Sequence, residues 1–326
     1  TLTLRIGLVA ALALVATFAA AIPFDNSAGG PATATLAPSG GDYTSLSAAS
    51  VAFSAVAGGI NRPWTLEIAD GTYTEPNNSA FGNTFGAGGS LTIKPAAGAQ
   101  PVIDFTNNAT AAGWFGHLLI GCTIAGQTGA PDATNTFSSN GNYIIDGSNN
   151  GTDSRDLTIG FGIAAADNSL MGRIIRVVAD NDGVIIRNVV LQFNDSTGTN
   201  TCIECAAGQL PAGGASVAPD NLLIDNCHFV SLNAGSGQNP AAIGASIAAN
   251  GTLPAGEAIQ GLEVRNCLIE ARQRGVFLNG YVNFSIHDNV FNMAGHASGA
   301  FTNSAIFHFT SITVTGYTGE IYNNDI

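Results

Sequence analysis

The chain has 326 residues, of which 45% are hydrophobic, so it can bury a large core. Only 10% are charged, far below the usual quarter, and the net charge is −13. A nucleic-acid-binding surface needs clustered lysine and arginine, so we expect no nucleic-acid partner. An acidic chain also repels acidic polysaccharides unless Ca²⁺ or a local basic patch intervenes.

The first segment has the pattern of an export signal. Arg5 precedes an apolar run from Ile6 to Ala21 that ends in three alanines. A membrane anchor needs about 20 apolar residues, and this run has 16 (21−6+1 = 16). We predict a signal peptide over residues 1–21, with a retained anchor as the alternative, and a linker over residues 22–35. The mature protein is then secreted or on the cell surface, and meets a membrane only through this segment, if uncleaved.

A short helix is predicted after the linker. Leu46, Ala49, Phe53 and Val56 are spaced three, four and three residues apart, which gives one apolar helix face. Asp42 or Thr44 is the expected N-cap. Solenoid proteins cover their terminal units, so we predict that this helix caps one end of the fold.

Short strand-like segments follow the helix. Trp64–Ala69, Leu91–Lys94 and Pro101–Phe105 are rich in alternating apolar residues. Asp70–Glu75 is predicted to be the turn between the first of these strands and a glycine-rich loop.

The second half of the chain repeats one pattern: apolar, any, Asn or Asp, any, any, apolar. The Asn or Asp positions are Asn188, Asn226, Asn266, Asp288 and Asn323. Their spacings are 226−188 = 38, 266−226 = 40, 288−266 = 22 and 323−288 = 35, within the range of solenoids and propellers. A unit that closes in 22 residues, all strand and turn, predicts a right-handed parallel β-helix over residues 36–326.

The repeat also predicts two columns of side chains. Asn188, Asn226, Asn266 and Asn323 are expected to form a buried structural ladder at one corner, with a carbohydrate-binding row as the alternative. The residues just before the corner form the second column: Arg187, Asp225, Arg265 and His287. If the coils stack in order, these side chains form an outward column of alternating charge.

The last copy of the repeat, Gly319–Ile326, stops at the end of the chain. A β-helix that ended there would leave a strand edge unpaired. We therefore expect further coils or a cap beyond residue 326.

Three stretches carry a family resemblance: Gly41–Leu46, Gly89–Pro95 and Asn142–Ile159. Together with the repeat, they resemble the N-terminal part of large secreted β-helix surface proteins of Bacteroidetes-type bacteria. The resemblance covers roughly residues 36 to 326 and implies export and display at the cell surface. It implies no catalytic residue.

A wider resemblance is to pectin-lyase-like solenoids. Asp70–Glu75 is similar to the Gly-x-Tyr-x-Glu of pectin methylesterases, which implies a polysaccharide or cell-surface glycan as partner. The chain lacks the Asn-Thr-Asp, Asp-Asp and Gly-His-Gly motifs of polygalacturonases and the Arg-x-Pro-x-x-Arg of pectate lyases. These departures put an enzymatic role in doubt.

The segment Asp146–Leu157 partly copies a calcium-binding loop. It matches positions 1, 3, 5 and 6, but position 12 is Leu157 instead of the bidentate glutamate. Asp153 and Asp156 are possible substitutes. We expect an Asx-rich turn and no cofactor, with Ca²⁺ as the alternative.

The chain has five cysteines. Cys227 and Cys267 share one position of the repeat and are expected to stack on neighbouring coils. Cys202 and Cys205 are placed in a long loop, where a disulfide is expected and a zinc site would need further ligands. Cys202, Cys205, Cys227 and Cys267 are therefore the disulfide candidates.

Candidate catalytic residues are sparse. Arg272, Arg274 and His308, with Glu270 nearby, are the polar residues expected on the face that gathers the long loops. The loops Gly208–Pro219 and Asn233–Pro254 are dominated by small residues. The sequence therefore favours a structural, adhesive or glycan-binding surface protein, with a polysaccharide lyase or carbohydrate esterase as the alternative.

Overall fold

The computed structural model describes residues 24, 26, 32–76, 78–106, 116–122, 141–161, 173–178, 181–193, 201–206, 219–231, 241–246, 259–271, 274–279, 281–293, 304–309 and 318–326. The predicted signal peptide lies outside the described residues. Within them, no helix has the length and apolar character needed to cross a bilayer.

The described residues form one helix and 25 strands. The first elements are β1 (Thr33–Leu36), α1 (Leu46–Ser54), β2 (Pro63–Ile68), β3 (Thr72–Glu75), β4 (Ser79–Phe81), β5 (Ser90–Pro95), β6 (Val102–Phe105) and β7 (Gly116–Ile120). They are followed by β8 (Tyr143–Asp146), β9 (Leu157–Phe161), β10 (Arg173–Val178), β11 (Ile185–Arg187), β12 (Val189–Phe193), β13 (Thr201–Ala206), β14 (Leu223–Asp225), β15 (His228–Ser231) and β16 (Ala241–Ser246). The last are β17 (Ile259–Gln260), β18 (Glu263–Arg265), β19 (Leu268–Ala271), β20 (Arg274–Asn279), β21 (Tyr281–Val282), β22 (Phe284–His287), β23 (Val290–Met293), β24 (Ser304–Phe309) and β25 (Gly319–Tyr322).

Three parallel sheets wrap around one interior. The first sheet has the order β1-β2-β5-β8-β11-β14-β18-β22-β25, the second β3-β6-β9-β12-β15-β19-β23, and the third β4-β7-β10-β13-β16-β20-β24. From β2 to β24, apart from β17 and β21, successive strands pass from the first sheet to the second and then to the third, so each of these coils adds one strand to each sheet. This is the right-handed parallel β-helix that the repeat predicts. The pair β17–β21 adds a small fourth ribbon.

Stacked apolar side chains fill the interior. On the first sheet, Ile145, Ile186, Ile224, Val264 and Ile286 pair in register from coil to coil, and each is at most 1% exposed. Side chains alternate between the two faces of a strand, so the residues between these positions point outward. The sequence alternation therefore fixes which face of the first sheet is buried.

The predicted cap forms, with a different N-cap. Leu46, Ala49 and Phe53 are fully buried, and Val56 packs against the core from beyond the helix end. Ser45, not Asp42 or Thr44, is the N-cap, because its extended backbone lets its side chain accept a hydrogen bond from Ala48 N. The Asp42 carboxylate instead accepts hydrogen bonds from the backbone and hydroxyl of Thr35.

Two segments predicted to be linker and turn belong to the fold. Residues 33–35 lie in β1, which pairs with β2, and Phe24 packs against the rings of Phe53 and Trp64. The end of the segment predicted as the Asp70–Glu75 turn is strand β3. In both segments, alternate side chains point inward and are buried. This burial favours a strand although the residues have a propensity for turns.

Candidate functional site

The five corners marked by the repeat use a left-handed backbone. Asn188, Asn226, Asn266, Asp288 and Asn323 have φ between 48° and 60°. Asparagine and aspartate tolerate this conformation better than other residues with a side chain. The repeat's Asn or Asp is therefore required first by the backbone of the corner.

The predicted buried Asn ladder is only partly correct. Asn188 is buried and donates to Asp146 Oδ1 (2.8 Å), and Asn226 donates to Asn188 Oδ1 (2.8 Å). Asn266 and Asn323 are exposed, and Asn266 donates to Asp225 instead. The left-handed residue tilts its side chain toward the outside of the corner, so burial depends on what covers it.

The inward polar ladder lies one residue further along. Cys227 N donates to Cys267 Sγ (3.4 Å), and Cys267 N donates to Asn289 Oδ1 (3.0 Å). Asn289 N in turn donates to Asn324 Oδ1 (3.1 Å). Cysteine and asparagine thus have the same role in this column. Each side chain accepts a hydrogen bond from a backbone N–H of the previous coil, which satisfies a buried donor.

The cysteine predictions are corrected by this geometry. All five cysteines are buried free thiols. Cys202 and Cys205 lie in strand β13, not in a loop, and three residues of strand separate their Cα atoms by about 10 Å, too far for a disulfide. Cys227 and Cys267 do stack on neighbouring coils, as predicted, but as hydrogen-bonded thiols.

The segment Asp146–Leu157, which resembles a calcium-binding loop, is a turn whose side chains hydrogen-bond within the segment. It lies over two corners. Asn150 Oδ1 accepts hydrogen bonds from Thr152, and Asp156 Oδ2 accepts from Asn149 N (3.0 Å) and Ser154 Oγ (2.6 Å). Arg155 reaches Asn226 O (2.8 Å) and Oδ1 (2.7 Å) two coils away. The loop covers Asn188, which explains why that corner is buried. Among the described residues, no cluster of three metal-binding side chains occurs.

The outer column of the first sheet carries the predicted alternating charge. Arg187 pairs with Asp146 (2.8 Å), and Arg265 pairs with Asp225 (2.9 Å) and Glu263 (2.8 Å). His287 continues the column, bridges Glu263 and Asp288, and stacks on Tyr322. Burial alone would raise the pKa of Asp225, but hydrogen bonds from Arg265 and Asn266 lower it. We name Asp146, Arg187, Asp225, Glu263, Arg265 and His287 the charge ladder. The charges of its members neutralise one another.

The carboxylate of Glu270, on the second sheet, contacts two side chains of the same sheet. Its Oε2 lies 2.8 Å from His228 Nε2, and its Oε1 accepts a hydrogen bond from Asn292 (3.3 Å). His228 therefore has a partner that the sequence did not reveal. Glu270 belongs to a different sheet from Arg274 and His308, so the predicted catalytic residues do not form one group.

The outer face of the third sheet holds an unpredicted charged cluster. Arg176, Glu204, Gly244, Phe277 and Phe307 pair in register along one column. Their strand neighbours Val177, Cys205 and Leu278 belong to the core, so this column points outward.

Glu204 in this column sits between two arginines. Arg173 Nε contacts Glu204 Oε2, and Arg176 Nε lies 3.0 Å from the same oxygen without the alignment of a hydrogen bond. All three side chains are at most 6% exposed. Burial lowers the pKa of Arg176, and Glu204 opposes this shift. Two buried cations thus share one carboxylate.

Arg274 lies further along the same face. Its guanidinium carbon is 4.5 Å from the ring centre of Phe277 and 4.7 Å from that of Phe307. The two rings stack at 5.7 Å with an interplanar angle of 24°. Burial lowers the pKa of Arg274. We call Arg274, Phe277, Phe307 and Ser304 the arginine–aromatic site. Arg272, the other predicted arginine, lies outside the described residues.

His308 does not join this site. Its register partner is the buried Leu278 and not a residue of the Phe277–Phe307 column, its Nε2 is 3.4 Å from Tyr281 O, and the residue is exposed. Its ring packs on Phe284. The predicted loop Gly208–Pro219 lies outside the described residues except for residue 219. The predicted loop Asn233–Pro254 is wrong in part, because strand β16 (Ala241–Ser246) lies within it.

The outer residues of the third sheet share a spacing, and of them sequence analysis named only Arg274. Arg173 and Arg176, Thr201 and Glu204, Arg274 and Phe277, and Ser304 and Phe307 are each three residues apart at equivalent strand positions. No Asn corner marks these strands, so the repeat did not align them. Only the pairing register shows that they form two adjacent columns.

The Gly-x-Tyr-x-Glu-like segment has a structural role here. Tyr73 Oη lies 3.0 Å from Leu36 O and 2.9 Å from Ala69 O. Glu75 is 1% exposed and accepts hydrogen bonds from the first backbone N–H groups of α1, at Leu46 (2.5 Å) and Ser47 (3.4 Å). Burial raises the pKa of Glu75, and these bonds oppose the shift. The carboxyl group therefore holds the cap helix in place.

Comparisons with known proteins add only a general likeness. No protein-family model matches the chain, and no curated protein matches it. Two crystal structures of pectin methylesterase from Aspergillus niger, in deglycosylated forms, are similar to it at 13% identity. The matches cover 90% and 91% of this chain and 86% of each of those chains, with TM-scores of 0.44 and 0.42. The fold of this chain is a parallel β-helix by its own strand pairing.

Proposed function

We propose that this protein is a secreted or cell-surface β-helix that binds a glycan chain on the outer face of its third sheet, in an adhesive or structural role. The observation that carries the proposal is the stacked pair Phe277 and Phe307 on neighbouring coils. Both rings are partly exposed, and they extend along the stack of coils. Two adjacent, partly exposed aromatic rings offer an apolar surface with a polar group beside it, which suits the mixed faces of a sugar ring.

The rest of the described fold supports a rigid carrier for such a surface. In-register parallel pairing continues from β1 to β25, and the charge ladder links the coils on the first sheet. A stack held in this way keeps the two phenylalanines at a fixed separation. Binding then requires little ordering of the protein, which favours affinity.

The alternative is an enzyme that cleaves or de-esterifies a polysaccharide. Such chemistry needs a proton acceptor within hydrogen-bond reach of the substrate. Among the predicted residues that the structure describes, Arg274 lies on the outer face of the third sheet, His308 shares the column of the buried Leu278, and Glu270 lies on another sheet. The geometry therefore favours binding over turnover.

The test is affinity electrophoresis of the purified chain through gels that contain neutral or acidic polysaccharides. We expect retardation by at least one polysaccharide, and Phe277→Ala and Phe307→Ala should each weaken binding about tenfold, or about 1.4 kcal/mol. Tyr322→Ala, which removes a 43% exposed ring on the first sheet, is the matched control and should change nothing.

Two results would contradict the proposal. Absence of retardation by every polysaccharide would remove glycan binding. Release of methanol, acetate or unsaturated products, abolished by Arg274→Gln, would instead establish the enzymatic alternative.

A further inference from the structure

Arg274 differs from the other arginines that the structure describes. Arg155 donates to Asn226, Arg187 pairs with Asp146, and Arg265 pairs with Asp225 and Glu263. Arg173 and Arg176 share Glu204, and Arg62 lies over Trp64. Within the described ranges, no hydrogen bond or ion pair joins Arg274 to another side chain or backbone group.

The side chain of Arg274 is also deeply buried. The residue is 9% exposed, and its Nε has no hydrogen-bond partner. Ser304, its register neighbour on β24, has a buried hydroxyl that likewise lacks a partner in the described part of the chain. Paired strands lie about 4.8 Å apart, so these two donors belong to one small region.

A buried cation without an anion is unfavourable. The faces of Phe277 and Phe307 attract the guanidinium and offset part of this cost. Rings that contact the guanidinium leave its N–H groups to be satisfied at the edge. A carboxylate satisfies such an edge with two parallel hydrogen bonds.

We propose that Arg274, together with the Ser304 hydroxyl, binds the carboxylate of a uronic-acid unit whose sugar ring lies against Phe277 and Phe307. This inference rests on the proposed glycan binding and narrows its ligand to an acidic glycan. One guanidinium and one hydroxyl match a single negative charge, whereas a phosphate dianion would require more cations. The net charge of −13 repels acidic chains in general, but the described strands of the third sheet carry three arginines, Arg173, Arg176 and Arg274, and one carboxylate, Glu204.

The experiment compares ligands that differ only at the carboxyl group. Calorimetry on the full chain uses uronic-acid oligosaccharides of several linkages and the same oligosaccharides reduced at the carboxyl carbon. We expect the acidic form to bind at least tenfold more tightly. Arg274→Gln should abolish this preference, and Arg274→Lys should lose most of it because an ammonium cannot form the paired hydrogen bonds.

Arg187→Gln is the matched control, because it removes an arginine of the first sheet that already has a carboxylate partner. It should leave the preference unchanged. Circular dichroism and the unfolding midpoint check that each variant folds. If Arg274→Gln does not fold, Ser304→Ala replaces it and should reduce the preference about threefold or more.

The outcomes separate this inference from the proposed function. Equal binding of acidic and reduced oligosaccharides overturns the carboxylate site and leaves glycan binding intact. If no oligosaccharide binds, glycan binding fails, and titration with free galacturonate and with acetate decides the site. Binding of either free carboxylate that Arg274→Gln abolishes would retain a carboxylate site without a glycan, and no binding would overturn it.

Discussion

The outer faces of the first and third sheets carry charged columns built on the same parallel pairing, yet they differ in how the charges are satisfied. On the first sheet, each arginine of the charge ladder meets a carboxylate of an adjacent coil. On the third sheet, two arginines share Glu204, and Arg274 has no carboxylate partner among the described residues. A column whose charges pair with one another stabilises the stack, whereas an arginine without a carboxylate partner leaves its N–H donors for a ligand.

The largest expected effect is at Glu204. Glu204→Gln removes the carboxylate that the buried Arg173 and Arg176 share, and we expect the free energy of unfolding to fall by about 3–5 kcal/mol. Asp225→Asn on the charge ladder should cost at most about 1 kcal/mol, because that pair is partly exposed. Urea denaturation of both variants measures the difference. Equal costs would contradict the contrast between the two faces.

The first and third sheets should contribute differently to the loss of stability at acid pH. His117, on β7, is fully buried between the rings of Phe105 and Phe161, and burial lowers its pKa to about 3 from 6.5. The unfolded chain takes up this proton below pH 6.5, while the folded chain does not until about pH 3. The free energy of unfolding therefore decreases as the pH is lowered from 6.5 toward 3, and at pH 5 the loss is about 2 kcal/mol.

His117→Phe should abolish the loss of stability between pH 6.5 and pH 4, as measured by denaturation at a series of pH values. Asp225, whose pKa is lowered in the fold, contributes stability that is present above its ordinary range and disappears only at lower pH. A variant that kept the full loss above pH 4 would assign the acid response to other groups.

The smallest expected effect is at Arg274. Without ligand, Arg274→Met replaces an unpaired buried cation by an apolar side chain that packs well on aromatic rings, so we expect no change in unfolding free energy or a gain of up to about 1 kcal/mol. Arg265→Met, which breaks two ion pairs, should lose up to about 1 kcal/mol. A clear loss at Arg274 would show that its guanidinium is already satisfied in the folded chain.

Sequence analysis reached the fold but little of the site. The Asn corners, the alternating strands and the cap helix were visible because each depends on residues close in the sequence. Ser45 is the N-cap instead of Asp42, because the Asp42 carboxylate accepts a hydrogen bond from Thr35 on the neighbouring strand. Cys202 and Cys205 looked like loop residues because apolar and polar positions mix in their strand. The partners of Glu204 and His228 are 28 or more residues away and leave no local signal.

The sequence by itself determined the parallel β-helix, because a left-handed corner needs asparagine or aspartate and each strand needs an apolar inward face, and both requirements are local. It also determined the charge ladder, since one repeat position per coil becomes one column. Only the tertiary structure decided which cysteines meet asparagines in the inward ladder, which corner is covered, and that Arg274 lies over Phe277 and Phe307. Those contacts join different coils separated by connections of unequal length, so their register follows from packing of the whole stack and not from any local pattern.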